Sequence, residues 1–180
     1  MIRNPARLKI RRGRAVARGG FIVTNIPFGC NVGVILSGFK RMGKEVLGVD
    51  VSAMAERHAL IDKKKFVRFG LRRAFISEKR FDLCICLEVA EHIEERYSDV
   101  LLGSITRASP NVLFSAAPPE QSADCHFNLK PRDRWIKKFG DLNFIFDERA
   151  TSELQQRFRR IPNLPHYYIA NVMVFRKRGV

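Results

Sequence analysis

Four side chains of proton-transferring type stand in a suggestive order: Glu88, Glu91 and His92 just beyond the apolar run Phe81–Leu87, and His126 further along. Where a buried strand ends in a turn or helix, such side chains can converge. Carboxylates and imidazoles placed there serve as general bases. Two of each can also hold one divalent cation that polarises a hydroxyl nucleophile. A Glu-His pair can equally be a hydrogen-bonded structural group. A second constellation is the turn Pro27-Phe28-Gly29-Cys30-Asn31-Val32-Gly33, followed by the segment Val46-Leu47-Gly48-Val49-Asp50. Glycines let a ligand approach the backbone, and an acidic residue closing the next strand can accept hydrogen bonds from both hydroxyls of a ribose. The seventeen residues from Gly33 to Asp50 suit a nucleoside-bearing cofactor. Asp50 can also simply cap the helix that follows.

The elements that must position these groups alternate between two periods. Phe21–Ile26 reads as a short strand, and Val34-Ile35-Leu36, Phe39 and Met42 recur at helical spacing up to Gly43. The spacing then predicts a strand at Glu45–Val49, a helix over about 53–62, a strand near 65–69 and a strongly apolar strand at Phe81–Leu87. A helix over about 94–107 and a strand at Asn111–Ser115 come next. Late strands near 143–147 and 168–175 bracket a helix near 150–160. Strands alternating with helices argue for an α/β fold, a mainly parallel sheet covered on both faces, whose ligand site lies beyond the carboxyl ends of its strands.

The chain has 180 residues, 46% hydrophobic and 28% charged, which suits one globular domain with a real core. No run approaches the roughly 18 apolar residues of a membrane span. Four cysteines, Cys30, Cys84, Cys86 and Cys125, do not read as a disulfide framework, so a reducing, cytoplasmic setting is the expectation. Cys84 and Cys86 fall on one face of a buried strand as small apolar fillers. Asp124, Cys125 and His126 are too few and too close together to suggest zinc. Of the net charge of +15, residues 1–20 carry +7, with no acidic residue, and read as a solvated basic arm before a single domain at 21–180. The other basic clusters (Lys63-Lys64-Lys65, Arg72-Arg73, Arg157…Arg159-Arg160 and Arg176-Lys177-Arg178) are scattered and not interleaved with aromatics.

The stretch Phe81-Asp82-Leu83-Cys84-Ile85-Cys86-Leu87-Glu88-Val89-Ala90-Glu91-His92-Ile93 resembles the fourth-strand motif of class I S-adenosylmethionine-dependent methyltransferases. Further anchors of that family follow in order: Gly29 and Gly33, Gly48-Val49-Asp50, and Leu113-Phe114-Ser115-Ala116-Ala117-Pro118. The segments His126-Phe127-Asn128, Trp135 and Pro165-His166-Tyr167-Tyr168 through Asn171-Val172-Met173-Val174-Phe175 resemble one bacterial subgroup of small methyltransferases. The resemblance implies a Rossmann-like seven-stranded, mostly parallel sheet with an antiparallel last strand. It implies S-adenosyl-L-methionine as cofactor, held by Gly29, Cys30, Asn31, Gly33, Asp50, Val51, Leu71 and Leu87. The chain departs from the family pattern at Pro27 and Gly70, where acidic residues are usual, and at Asn31, where a glycine is usual.

Methyl transfer is a direct displacement at a sulfonium, so the protein must mainly hold donor and nucleophile in line, with a base if the nucleophile is a hydroxyl. The resemblance therefore points to Glu88, Glu91, His92 and His126 as catalytic. The same four are similar to the metal-binding set of small-RNA 2′-O-methyltransferases. Asn128 and Trp135 are candidates for the substrate entrance, although a lone Trp on a helix more often belongs to the core. The expected reaction is O-methylation of a small-molecule or saccharide-like acceptor. The alternatives are an RNA 2′-O-methyltransferase, or a catalytically degenerate fold acting as a basic RNA-binding module.

Overall fold

The computed structural model describes residues 20–24, 33–77 and 79–179. The basic arm, apart from Gly20, and the turn residues Gly29, Cys30 and Asn31 lie outside the described residues. The chain runs β1 (Gly20–Thr24), α1 (Val34–Arg41), β2 (Glu45–Asp50), α2 (Ala53–Arg57), β3 (Phe66–Arg68), β4 (Leu83–Leu87), α3 (Ser98–Ala108) and β5 (Asn111–Ser115). It continues with α4 (Arg132–Asp141), β6 (Phe144–Phe146), α5 (Glu148–Phe158), α6 (His166–Asn171) and β7 (Met173–Lys177). This is the expected Rossmann-like arrangement of helices around a mixed sheet, with strand order β3-β2-β1-β4-β5-β7-β6. The strands from β3 to β5 are parallel, while β7 runs antiparallel to both β5 and β6.

The two-residue period of the strands sends alternate side chains to opposite layers. Cys84 and Cys86 enter one core with Val112, Phe114 and Phe175, under α3 (Leu101, Leu102, Ile105) and α4 (Trp135, Phe139). Ile85 and Leu87 face the other layer with Val46 and Val172, under α1 (Leu36), α5 (Leu154, Phe158) and α6 (Tyr168). A central strand buried on both faces reads as the continuous apolar run seen in β4. Gly48 leaves little room for a side chain: a Cβ there would come within 3.1 Å of Leu36 and 3.3 Å of Ile61 and Phe66. Two helix starts are secured by side chains, Ser52 accepting from the Ala55 N–H and Asp147 from the Ala150 N–H.

Three segments differ from the sequence expectation. The helix expected over 53–62 ends at Arg57. Helix α4 was not anticipated as an element, because its polar face dominates its composition and only Trp135 and Phe139 are buried. The strand expected near 168–175 is split: His166–Asn171 is helical and only Met173–Lys177 pairs in the sheet. The run His166-Tyr167-Tyr168-Ile169 is rich in strand formers, but Pro165 opens a helical turn there and packing overrides propensity. No helix among the described residues is long and apolar enough to cross a membrane.

Candidate functional site

Strand order reverses between β1 and β4, so a ligand crevice is expected over the carboxyl ends of β1 and its neighbours β2 and β4. Three described groups sit at that rim. Gly33 precedes α1 at φ +83, a left-handed conformation that suits glycine. Asp50 closes β2; its Oδ1 accepts from the Ser52 N–H at 2.7 Å, and the cap of α2 is Ser52 itself. Burial pushes the Asp50 carboxyl up to about 6, against the pull of the Ser52 and Val51 N–H groups. It has no cationic partner among the described residues. A buried carboxylate with spare acceptor capacity and no cation beside it suits neutral donors such as a pair of hydroxyls. Val51 is 55% exposed beside it.

The other expected cofactor positions behave differently. Leu71 is buried, lining a small apolar gap with Phe75, Cys84, Leu101 and Ile105 on the α3 side. Leu87 is buried in the opposite layer with Leu36 and Ile85. The two are 7% and 8% exposed. Both are drawn into the core because each sits where an element meets the sheet and its apolar side chain is excluded from water.

Beyond β4 the chain turns sharply. Glu88 takes φ 52, a left-handed conformation unusual for a non-glycine residue. Its N–H donates to both the Ser115 carbonyl at 3.1 Å and Ser115 Oγ at 3.0 Å at the end of β5. Asn171, the last residue of α6, donates its Nδ2 to the two Glu88 oxygens at 3.3 and 3.4 Å and to Gln121 Oε1 at 2.7 Å. Burial raises the Glu88 carboxyl, while hydrogen bonds from Ser115 and Asn171 and the nearby His126 charge act in the opposite direction. Glu91, in the 3-10 turn Ala90–His92, is 1% exposed, and its Oε2 finds no partner. Burial, reinforced by the Glu88 charge, pushes its carboxyl up to about 8, so Glu91 is mostly protonated at neutral pH. Burial thus pushes both carboxyls toward their protonated forms, and the Glu88 charge pushes Glu91 further. Tyr168 of α6, also raised to about 12 chiefly by burial, keeps its phenol neutral.

His92 and His126 are brought together, with ring centroids 4.9 Å apart at 76°. Burial lowers the His92 imidazole below the ordinary histidine range. The four residues Glu88, Glu91, His92 and His126 do not form a single cluster of metal-ligating atoms. Among the described residues, the group that does is His92, Cys125 and His126. Asp124, Cys125 and His126 read as too few and too close together for zinc; the fold brings His92 from a distant turn to Cys125 and His126. Asn128 is 2% exposed, and its Nδ2 donates to Ser98 Oγ at 3.0 Å and the Ala90 carbonyl at 3.3 Å. Trp135 is 1% exposed, against Phe114 at 5.3 Å. Both belong inside the protein and not at a substrate entrance: Trp135 fills the core, and Asn128 ties its loop to the turn carrying Glu91. The sequence reading missed Gln121, Cys125 and Asn171 as site residues. Asn171 had a signal, since it closes the C-terminal segment that the resemblance singled out.

The sheet order and the helices around it form a Rossmann-like methyltransferase fold. Residues 26–108 match the model of a family described as a methyltransferase domain. The chain is 31% identical over 78 residues, 39% of its length and 30% of the relative's, to a ubiquinone biosynthesis O-methyltransferase of Rhodopseudomonas palustris. It therefore spans about a third of that curated relative. Among solved structures it resembles a TehB-like SAM-dependent methyltransferase from Corynebacterium glutamicum, with TM-score 0.62, 18% identity, and 91% of this chain and 83% of that one covered. It also resembles an O-methyltransferase from a trans-AT PKS multienzyme of Brevibacillus brevis, in complex with S-adenosyl-L-homocysteine. There the TM-score is 0.60 and the identity 13%, with 89% of this chain and 67% of that one covered.

Proposed function

We propose that this protein is an S-adenosylmethionine-dependent O-methyltransferase acting on a small-molecule or saccharide-like acceptor. The observation that carries the reading is Glu88: a carboxylate held at a strained backbone turn, oriented by Asn171, across the strand ends from the buried Asp50. Strain kept in place by surrounding hydrogen bonds is a mark of functional sites. The fold match and the curated O-methyltransferase relative support the same reaction class.

Asp50 would hold the ribose hydroxyls of the cofactor, with Gly33 and Val51 beside it. When bound, S-adenosylmethionine supplies a methyl group on a positively charged sulfonium. Glu88 accepts the proton of the acceptor hydroxyl as that oxygen becomes nucleophilic. Asn171 fixes the direction in which Glu88 faces, and Gln121 Oε1 in turn holds the Asn171 amide. Burial and the Glu88 charge favour the proton on Glu91, which leaves the role of base to Glu88. His92 and His126 orient the acceptor beside Glu88.

Calorimetry with S-adenosylmethionine or S-adenosylhomocysteine tests the cofactor assignment. Micromolar binding is expected, and absence of heat with both ligands in folded protein overturns it. Given an accepted substrate, Glu88→Gln should lower turnover by roughly 10²–10⁴-fold, the usual contribution of a positioned base. His92→Ala and His126→Ala should each lower it less. Rates unchanged in Glu88→Gln would remove the base from this mechanism.

A further inference from the structure

His92 closes the 3-10 turn after β4, and Cys125 and His126 lie in the loop between β5 and α4, more than thirty residues later. Backbone contacts clamp that loop onto the turn: the N–H groups of Phe127 and Asn128 both donate to the Glu91 carbonyl, at 2.7 and 3.0 Å. The buried Asn128 amide adds its bonds to Ala90 and Ser98. Each imidazole is then held through Nδ1, His92 against the Cys125 carbonyl at 2.9 Å and His126 against the Gln121 carbonyl at 2.6 Å. A carbonyl only accepts, so in the neutral rings both protons sit on Nδ1 and both Nε2 atoms present a lone pair. Ligand atoms of His92, Cys125 and His126 all lie within 4.8 Å of one another, and the three residues are half-buried.

We propose that His92, Cys125 and His126 form a zinc site, bound through the two Nε2 atoms and Sγ, with a fourth position open to water or to an acceptor oxygen. Two imidazoles and a thiolate are a donor set for zinc, whereas magnesium and calcium take oxygen ligands. Of the nearby carboxylates, Glu88 is engaged by Asn171, and Glu91 is enclosed beside it. Metal–ligand bonds of about 2.0–2.3 Å place tetrahedral ligand atoms roughly 3.5 Å apart, so side-chain rotation draws ligand atoms that lie within 4.8 Å of one another onto the ion. The outer layer that metal-binding histidines require is already built, as each ring donates its other N–H to a backbone carbonyl. Three protein ligands and one open position are the arrangement in which zinc polarises a bound oxygen. This site goes beyond the methyl-transfer reading, and it is measured without cofactor, so either can fail alone.

The full chain, stripped of metal, is titrated with Co²⁺ and then Zn²⁺. One Co²⁺ per chain is expected, with the visible bands of tetrahedral cobalt and a thiolate-to-cobalt charge-transfer band, all displaced by one equivalent of Zn²⁺. Cys125→Ser should abolish the charge-transfer band, and His92→Ala or His126→Ala should weaken binding on the order of 100-fold or more, at least the loss seen on removing an outer-layer partner. In the wild-type chain, which does not depend on any variant folding, Zn²⁺ should shield Cys125 from alkylation as read by peptide mass. A charge-transfer band that survives Cys125→Ser, a preference for Mg²⁺ over Zn²⁺, or Cys125 alkylated at the same rate with and without Zn²⁺ would each overturn the assignment.

Discussion

On the β4-β5-β7 side of the sheet, Phe114, Trp135, Phe139 and Phe175 meet ring against ring, with centroids as close as 3.9 Å between Phe139 and Phe175. On the β2-β3 side the helices are only eight and five residues long, and Met42, Val51, Met54 and Leu60 remain more than half exposed. The contrast matches the tasks assigned to the two sides. Glu88, Glu91 and the His92–His126 pair rest on the thick side, beside dense packing and a hydrogen-bond chain through Asn171. Asp50 rests on the thin side, at the end of β2. Sparse packing there lowers the cost of local opening.

The largest test of this asymmetry is truncation in the thick core. Trp135→Ala should cost about 3–5 kcal/mol, as burying and then removing a large aromatic does, measured by denaturant unfolding. Leu36→Ala, beneath the thin side, should cost about 2–3 kcal/mol, the low end for a buried leucine. Equal losses would erase the distinction between the two sides.

Asp50→Ala should raise the dissociation constant for S-adenosylhomocysteine by about 10- to 100-fold, the value of roughly 1.5–3 kcal/mol for hydrogen bonds to a charged group. An unchanged constant would detach Asp50 from the cofactor.

The same residue makes a prediction about pH. Its carboxyl titrates near 6 in the folded protein and near 3.8 when unfolded, so the folded state binds the proton more tightly between those values. Its contribution to stability is therefore full below about pH 4 and is lost as pH rises through 6. Melting temperatures of the wild type and Asp50→Asn should diverge over that window, with the variant the flatter of the two. Parallel curves would mean that the carboxyl is not enclosed as described.

The smallest effect is expected at Glu45, whose partly exposed carboxylate pairs with Lys65 at 3.2 Å and with Lys79. Glu45→Gln should cost no more than about 1 kcal/mol, as for surface ion pairs generally, and less still at high salt. A larger loss would show the thin side to depend on charge more than on packing.

Much of the basic surface is already engaged in this way. Arg72 pairs with Glu94, Lys130 and Arg134 with Glu95, and Arg176 with Asp147. These pairs leave the net charge of +15 unchanged, since their carboxylates are already counted in it, but they fix which cations face an acidic partner.

Local chemistry determined much of the architecture. The apolar run at Leu83–Leu87, the glycine before α1 and the helical spacing of Leu101, Leu102 and Ile105 are readable because period and burial are properties of neighbouring residues. So were Asp50 and Glu88, since each ends a strand and strand ends meet at the crevice. Trp135 and Asn128 carried the types of a binding residue, but their destination depended on which layer closed over them. The left-handed backbone of Glu88, the proton kept on Glu91, and the meeting of His92 with Cys125 and His126 were settled only by tertiary structure. Each is a product of desolvation or of contacts between residues far apart in the chain, and no local pattern encodes either.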